Sequence, residues 1–456
     1  MIHRYKNNGY NIVLDVNSGC VHVVDDIAYD AIGLYDEGAC DICGVLMERH
    51  PDESREDIEE LISEIESLKD NGELFSEDIY EDYIFDAGSR ETVVKALCLH
   101  IAHDCNLACR YCFAGEGEYH GRTALMSAEV GKKALDFLVA ESGNRRNLEV
   151  DFFGGEPLMN FEVVKEIVRY GRELEKMHDK RFRFTLTTNG VLLNDEIMEF
   201  ANREMSNLVL SIDGRREVHD RMRPSRNGKG SYDVILPKFK KAAESRNQTD
   251  YYVRGTFTHF NMDFCEDVLH LADLGFKQIS VEPVVAPPSE EYAITEEDVP
   301  KICGEYDRLA SEMLKREREG KGFNFFHFMI DLKGGPCVYK RLSGCGSGTE
   351  YLAVTPWGDI YPCHQFVGNE QFLLGNIEEG IKKKDICADF KLCNVYSKPK
   401  CRDCFAKFYC SGGCAANAYN FHGSILEAYD IGCMLQKKRV ECALMLQAAR
   451  NEEENK

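Results

Sequence analysis

The chain has 456 residues, 44% of them apolar and 29% charged, and a formal net charge of −23. That length holds two or three domains with cores of their own, and no apolar run reaches the roughly 18 residues of a membrane span. A surface this acidic repels phosphate, which argues against nucleic acid or anionic lipid as a partner. The N-terminus lacks the apolar stretch of a signal peptide, so a cytoplasmic protein is expected.

The acidity is uneven, with six Lys/Arg against 23 Asp/Glu in residues 1–90. Within residues 1–80, "YNIVLDVNSGCVHVVDD" reads as two strands around a turn at Asn17-Ser18-Gly19. Short helices are expected near 28–35 and 41–49. An amphipathic helix follows over 55–71, with Ile58, Leu61, Ile62, Ile65 and Leu68 on one face, a cap at Ser54 and a stop at Gly72. A hairpin with three helices suggests a small winged-helix domain. Residues 81–93 are expected to be a linker.

Over residues 94–325 strand-like and helix-like segments alternate six times. The strands are "VKALCLHIA", "NLEVDFF", "RFRFTLTT", "NLVLSID", "YYVRGTFT" and "QISVEPV". Repeated βα units predict parallel strands, and six of them predict an α/β fold built on a partial (βα)6 barrel. The unusual residues cluster at strand ends. Cys105, Cys109 and Cys112 follow strand one, "GGEP" (154–157) follows strand two, "TTNG" (187–190) ends strand three and "SIDG" (211–214) ends strand four. In a parallel barrel these ends share one face, the face that carries active sites.

Twenty cysteines in a reducing compartment point to metal rather than disulfides. Seven lie between Cys387 and Cys433, within a segment, 335–440, with few long periodic stretches, so its order is expected to come more from metal than from apolar burial. A C-terminal helix or tail is expected over 441–456. Cys98, Cys265 and Cys303 are expected to be small buried apolar residues. A structural zinc site takes four closed ligands, whereas the triplet offers three. A [4Fe–4S] cluster held by three cysteines leaves one iron open.

Cys-x3-Cys-x2-Cys after the first strand, with Tyr111 before the last cysteine, resembles the radical S-adenosylmethionine (SAM) superfamily, and "GGEP", "TTNG" and "SIDG" agree with it. The resemblance implies a cluster on Cys105, Cys109 and Cys112 whose open iron chelates SAM, and a 5′-deoxyadenosyl radical that abstracts substrate hydrogen. It implies that Gly154, Gly155 and Glu156 receive the amino group of SAM. Ser211 and Asp213, with Thr188 and Asn189 beside them, would bond its ribose or methionine part. Arg254, alternating with apolar residues in strand five, would pair the methionine carboxylate.

The spacing Cys345-x12-Gly-x4-Cys363, then Cys401-x2-Cys404-x5-Cys410-x3-Cys414, then Cys433, resembles the SPASM extension of radical SAM enzymes that modify peptides. The family pattern assigns Cys401, Cys404, Cys410 and Cys433 to one auxiliary [4Fe–4S] cluster, and Cys345, Cys363 and Cys414 to another, three clusters in all. Cys337 can complete the second set, or that site stays open to a substrate thiolate. Cys387, Cys393 and Cys442 fall outside the array. His364 stands where sulfatase-maturing relatives have an Asp base, which counts against sulfatase maturation; it is a candidate base for another step.

Ahead of such a barrel, residues 1–80 resemble a RiPP recognition element, which binds a precursor leader as an added strand. The whole chain is similar to maturases of the cysteine-rich SCIFF peptides. This implies a cysteine sulfur joined to carbon as a thioether, with the leader on residues 1–80, the core peptide at the barrel mouth, and a reductant such as a flavodoxin or ferredoxin. Carbon–carbon cross-linking or formylglycine formation is the competing chemistry, and a zinc-bearing winged-helix regulator the non-enzyme reading.

Overall fold

The computed structural model describes residues 1–84, 92–119, 122–330, 332 and 337–454. The middle of the expected 81–93 linker lies outside them.

The N-terminal segment forms an antiparallel sheet β1 (Ile2–Asn7), β2 (Tyr10–Asp15) and β3 (Val21–Val24), followed by helices α1 (Asp26–Asp36), α2 (Ile42–Arg49) and α3 (Arg55–Asp70). The expected hairpin is present, and a third strand, β1, pairs with β2 from Ile2↔Asp15 to Asn7↔Tyr10. Asp15 fixes the β2–β3 turn by accepting from the amides of Asn17 (2.9 Å) and Ser18 (3.1 Å). Ser54 caps α3 by accepting from the Asp57 amide at 3.1 Å. Val13, Ile32, Leu46, Ile58 and Ile65 form a separate small core, as the spacing of α3 predicts. The β3 edge remains unpaired by any other described strand.

Six strands run parallel in sequential order: β4 (Ala96–His103), β6 (Asn147–Gly154), β7 (Arg181–Thr188), β8 (Met205–Ser211), β9 (Tyr251–Phe257) and β10 (Gln278–Pro283). Short β5 (Ala124–Leu125) lies antiparallel on β4, and β11 (Asn324–Phe325) extends the β10 edge. The alternation seen in the sequence sorts the two faces. Leu148, Val150, Phe152, Phe182, Phe184 and Leu186 enter the main core, and the residues between them turn to the other side. On that inner side Cys98, Asp151, Thr185 and Asn207 are successive cross-strand neighbours.

The cysteine-rich segment is continuous with this sheet. β12 (Tyr351–Val354) pairs parallel with β4, and β13 (Asp359–Tyr361), β14 (Gly375–Asn376) and β15 (Gly380–Ile381) follow as antiparallel neighbours. His364, just past β13, lies 5.1 Å from the Phe153 ring on β6 and senses the charges of Arg254 and Glu282 on β9 and β10. The inner face is therefore concave and covered from one side by this segment.

Apolar burial contributes to this part as well. A helix spanning Asp430–Glu454 runs unbroken through position 440 and places Leu435, Val440, Ala443, Leu444 and Met445 in the main core. It packs on the helix Val299–Arg318, where Arg439 Nε donates to Tyr306 Oη at 2.8 Å. It also anchors the N-terminal sheet, through Tyr5 Oη donating to the Glu441 carbonyl at 2.8 Å and His3 Nε2 at 3.0 Å from Glu441 Oε1. Among the described residues no helix is long and apolar enough to cross a membrane.

Candidate active site

The three-cysteine loop leaves β4 and is pinned on two sides. Ala108 N donates to the Pro224 carbonyl (2.8 Å) and Arg110 N to that of Met222 (2.9 Å). On the other side glycines admit backbone to backbone. Gly155 N donates to the Ala102 carbonyl at 2.8 Å and Glu156 N to that of Asp104 at 2.9 Å. A Cβ on Gly155 would lie 2.1 Å from the Asp104 carbonyl oxygen, and one on Gly117 would lie 2.8 Å from Gly155 Cα and 3.1 Å from Cys105 Cβ. The approach requires hydrogen at both positions. Gly155→Ala should cost about 1–3 kcal/mol through forced displacement of residues 104–105. Urea unfolding checks this, and unchanged stability would refute the close approach.

Glu156 ties two of the strand-end motifs together. Its buried carboxylate accepts from Thr188 Oγ1 (2.7 Å), Asn189 N (2.8 Å) and Leu158 N (3.0 Å). Burial pushes its pKa up, and these bonds oppose the shift. All three bonds are internal, so Glu156 sets the relation of strands two and three. Asn189 then reaches the loop, with Nδ2 2.7 Å from Asn106 Oδ1 and 3.6 Å from Cys105 Sγ.

Strand four contributes Asp213. Its fully buried carboxylate accepts from Tyr111 Oη (2.6 Å) and Thr256 N (3.1 Å). Burial pushes it up to about 6, against the pull of a cation nearby. That cation, Arg223, is a residue that motif and spacing do not single out. It donates to Tyr111 Oη at 2.9 Å and lies 3.8 Å from Asp213 Oδ1. Its Nε is buried without a hydrogen-bond partner among the described residues. The signal available in the sequence is its position directly before Pro224, which halts the helix Arg216–Met222 and turns the chain toward the cysteine loop.

Cys105, Tyr111, Gly154, Gly155, Glu156, Thr188, Asn189 and Asp213 are thus drawn into one assembly. Ser211 borders it, half-buried at the end of β8. Arg254 is a register neighbour of Ser211, but its guanidinium pairs with Glu282 at 2.6 Å. Burial would raise the Glu282 carboxyl, and Arg254, His327 and Arg439 together hold it down at about 2. In this structure the Arg254 guanidinium is engaged by Glu282. His364 keeps a neutral imidazole, held down at about 4 by burial, with Nδ1 3.4 Å from Tyr351 Oη.

The donor sets fit iron–sulfur clusters. Burial pushes the Cys105 thiol up to about 12 and Cys109 up to about 11, with Arg223 opposing the rise at Cys109. Bound metal supplies the positive charge that makes such buried thiols into thiolates. Cys401, Cys404, Cys410 and Cys433 line one cavity of about 470 Å³. Cys363 interacts electrostatically with both Cys345 and Cys414. Cys337 lines a different cavity from Cys345. Among the described residues no three His, Cys, Asp or Glu side chains close on a single-ion position. Cys98, Cys265 and Cys442 are buried, as expected for the first two of apolar fillers. Cys303 is half-buried.

Comparison with known proteins agrees with this geometry. Residues 99–272 match the family described as Radical SAM superfamily. The cysteine-type anaerobic sulfatase-maturating enzyme of Clostridium novyi is 24% identical over 335 residues, 69% of this chain and 86% of the relative. The solved structure of native anSMEcpe with bound AdoMet and Kp18Cys peptide superposes with TM-score 0.65 at 19% identity, covering 78% of this chain and 99% of that one. Streptococcus suis SuiB bound to precursor peptide SuiA gives TM-score 0.53 at 16% identity, covering 95% and 98%. Strand ends, cysteine loop and family match coincide: the stretch similar to the Radical SAM superfamily, residues 99–272, is the one that carries the three-cysteine loop and the ends of strands two to four.

Proposed function

We propose that this protein is a radical SAM enzyme that installs thioether links, from cysteine sulfur to carbon, in a ribosomally made cysteine-rich precursor of the SCIFF type. The observation carrying the reading is the convergence of the three-cysteine loop with the ends of strands two to four. When bound, a reduced [4Fe–4S] cluster supplies the electron that cleaves SAM to methionine and a hydrogen-abstracting 5′-deoxyadenosyl radical. Cys105, Cys109 and Cys112 would hold it. The Gly154–Gly155 backbone, packed on Ala102 and Asp104, would meet the amino group of SAM through its carbonyls, and the unpartnered Arg223 Nε is suited to its carboxylate, in place of Arg254. Ser211 is placed for a hydroxyl.

Peptide substrates are supported by the named relatives, which include sulfatase maturases and an enzyme solved with its precursor peptide. The unpaired β3 edge of the N-terminal sheet suits a leader added as a strand. The sets Cys401/Cys404/Cys410/Cys433 and Cys345/Cys363/Cys414 would hold two auxiliary clusters. The second set, left open, would take a substrate thiolate, held deprotonated by iron. A flavodoxin or ferredoxin would supply the reducing electron, and an auxiliary cluster, when bound, would take up the second electron of the oxidation. His364, neutral and facing the inner side, is placed to accept a proton.

Anaerobic incubation with SAM, dithionite and a cysteine-rich precursor should give 5′-deoxyadenosine and a product lighter by two hydrogens per link, with one thiol consumed. Unchanged peptide mass with fully loaded enzyme would overturn the thioether reading. A product with thiols intact would favour carbon–carbon cross-linking, and zinc in place of iron would favour a regulator.

A further inference from the structure

The opposite end of the parallel sheet carries a feature that the SAM site does not use. Lys95, Asn147, Arg181, Ser206 and Asp250, at or next to the N-terminal ends of five strands, share a cavity of about 1200 Å³ with the turn Arg145–Arg146 and the helix Val338–Ser343. Its lining holds nine basic and five acidic side chains, in a protein with 55 basic and 78 acidic residues. Three of the five acids are already engaged. Glu350 pairs with Lys95, Glu175 with Arg172, and Glu204 with Arg172 and Arg203. Arg145, Arg181, Arg183 and Lys340 pair with no carboxylate among the described residues, and all four are exposed. Glu149 faces Arg183 in the ladder without an ion pair between them.

Two placements say what this mouth serves. It opens at the foot of the concave inner face, below Asp151 and Cys98. Its wall includes Cys337 and Gly344, the latter adjacent to Cys345. A chain entering here would pass toward Cys345 and Cys363. A concave mouth suits an extended chain rather than the convex face of a folded protein. One sign of charge in a cleft with low-dielectric walls concentrates the opposite sign.

We infer that the N-terminal mouth of the sheet is an entry site for an acidic segment of the peptide substrate, recognised through its side-chain carboxylates by Arg145, Arg181, Arg183 and Lys340. This deepens the proposed peptide-modifying function and rests on it for the identity of the ligand. It also divides labour by charge. Residues 1–90, with 23 acidic and six basic residues, repel the stretch that the mouth attracts, so a single precursor would be acidic where it enters the sheet and not acidic where it docks on the N-terminal unit.

The test is fluorescence anisotropy of the full-length protein with fluorescein-labelled hexaglutamate and hexaglutamine peptides. Hexaglutamate should bind tighter by roughly ten-fold at low salt, with the contrast largely gone at about 0.5 M salt. R145E/R181E/R183E should abolish the preference and R145Q/R181Q/R183Q should reduce it, with circular dichroism and iron content confirming that both variants fold. No preference in the wild type, or a preference surviving charge reversal, overturns the inference. So does a flavodoxin whose binding is lost in the variant while hexaglutamate binds neither protein, since the mouth would then serve a protein partner. Cleavage of SAM by the wild type is read separately. Its absence defeats the proposed function and leaves the peptide-binding result at the mouth standing.

Discussion

Replacing Cys105, Cys109 and Cys112 together by alanine should abolish 5′-deoxyadenosine formation and lower bound iron by about one third, the share of one cluster in three. The large effect follows from the chemistry of the loop. These thiols are held toward their neutral form by burial, and only a bound metal offsets that cost. Without thiolates the loop keeps its backbone bonds to Met222 and Pro224 and loses its only metal donors. The control is Cys265→Ala. Cys265 is wholly buried in the main core, and the charges acting on it are those of Arg308 and nearby glutamates rather than of any cysteine in the three sets, so its replacement should cost about 1 kcal/mol of stability and leave iron unchanged. Retained SAM cleavage in the triple variant would remove the basis for the proposed function.

Arg223→Ala should be the most disruptive substitution outside the cysteines, costing about 3–5 kcal/mol, because removing one partner of a buried pair leaves the other charge uncompensated. The effect should depend on pH. The folded-state pKa of Asp213 is raised to about 6 by burial, above the unfolded value of about 3.9. The folded protein therefore holds this proton more tightly than the unfolded chain. The associated stability is fully present below about pH 4 and is lost as pH rises through 6. Without Arg223 the carboxyl rises further, so the variant should lose more stability between pH 5 and pH 8 than the wild type. Arg223→Ala/Asp213→Asn should recover much of the deficit at pH 8, because no buried charge is then left alone. Chemical unfolding at the two pH values measures this. A penalty independent of pH and unrelieved by the second substitution would show that Arg223 acts through packing, with no part in balancing Asp213.

The positions of these residues explain which parts of the molecule can be read directly. The six parallel strands are legible because each alternates or runs apolar over a length that only a strand can use, as in "RFRFTLTT". Helix α3 is legible from its cap and its apolar spacing. The cysteine triplet and the glycine pair are legible because thiolate chemistry and close backbone approach each restrict a position to one residue type. Strand β1 escapes such reading because "IHRYKN" carries its apolar positions thinly and gains its place from the partner β2. The C-terminal helix is underestimated from sequence because its apolar residues spread around it. It is enclosed by the Val299–Arg318 helix on one side and the N-terminal sheet on another.

The sequence by itself determined the repeating βα order, the chemistry of the cysteines and the strand-end motifs, since all are local: they depend on residue type, spacing and period. Tertiary structure decided which charges meet. Arg254 and Arg223 carry the same side chain, yet one is neutralised by Glu282 and the other is buried beside Tyr111 and Asp213. The same holds for the basic mouth, assembled from five strand starts, a turn and a distant helix. Electrostatic energy depends on distance and burial in space, and neither is encoded by separation along the chain.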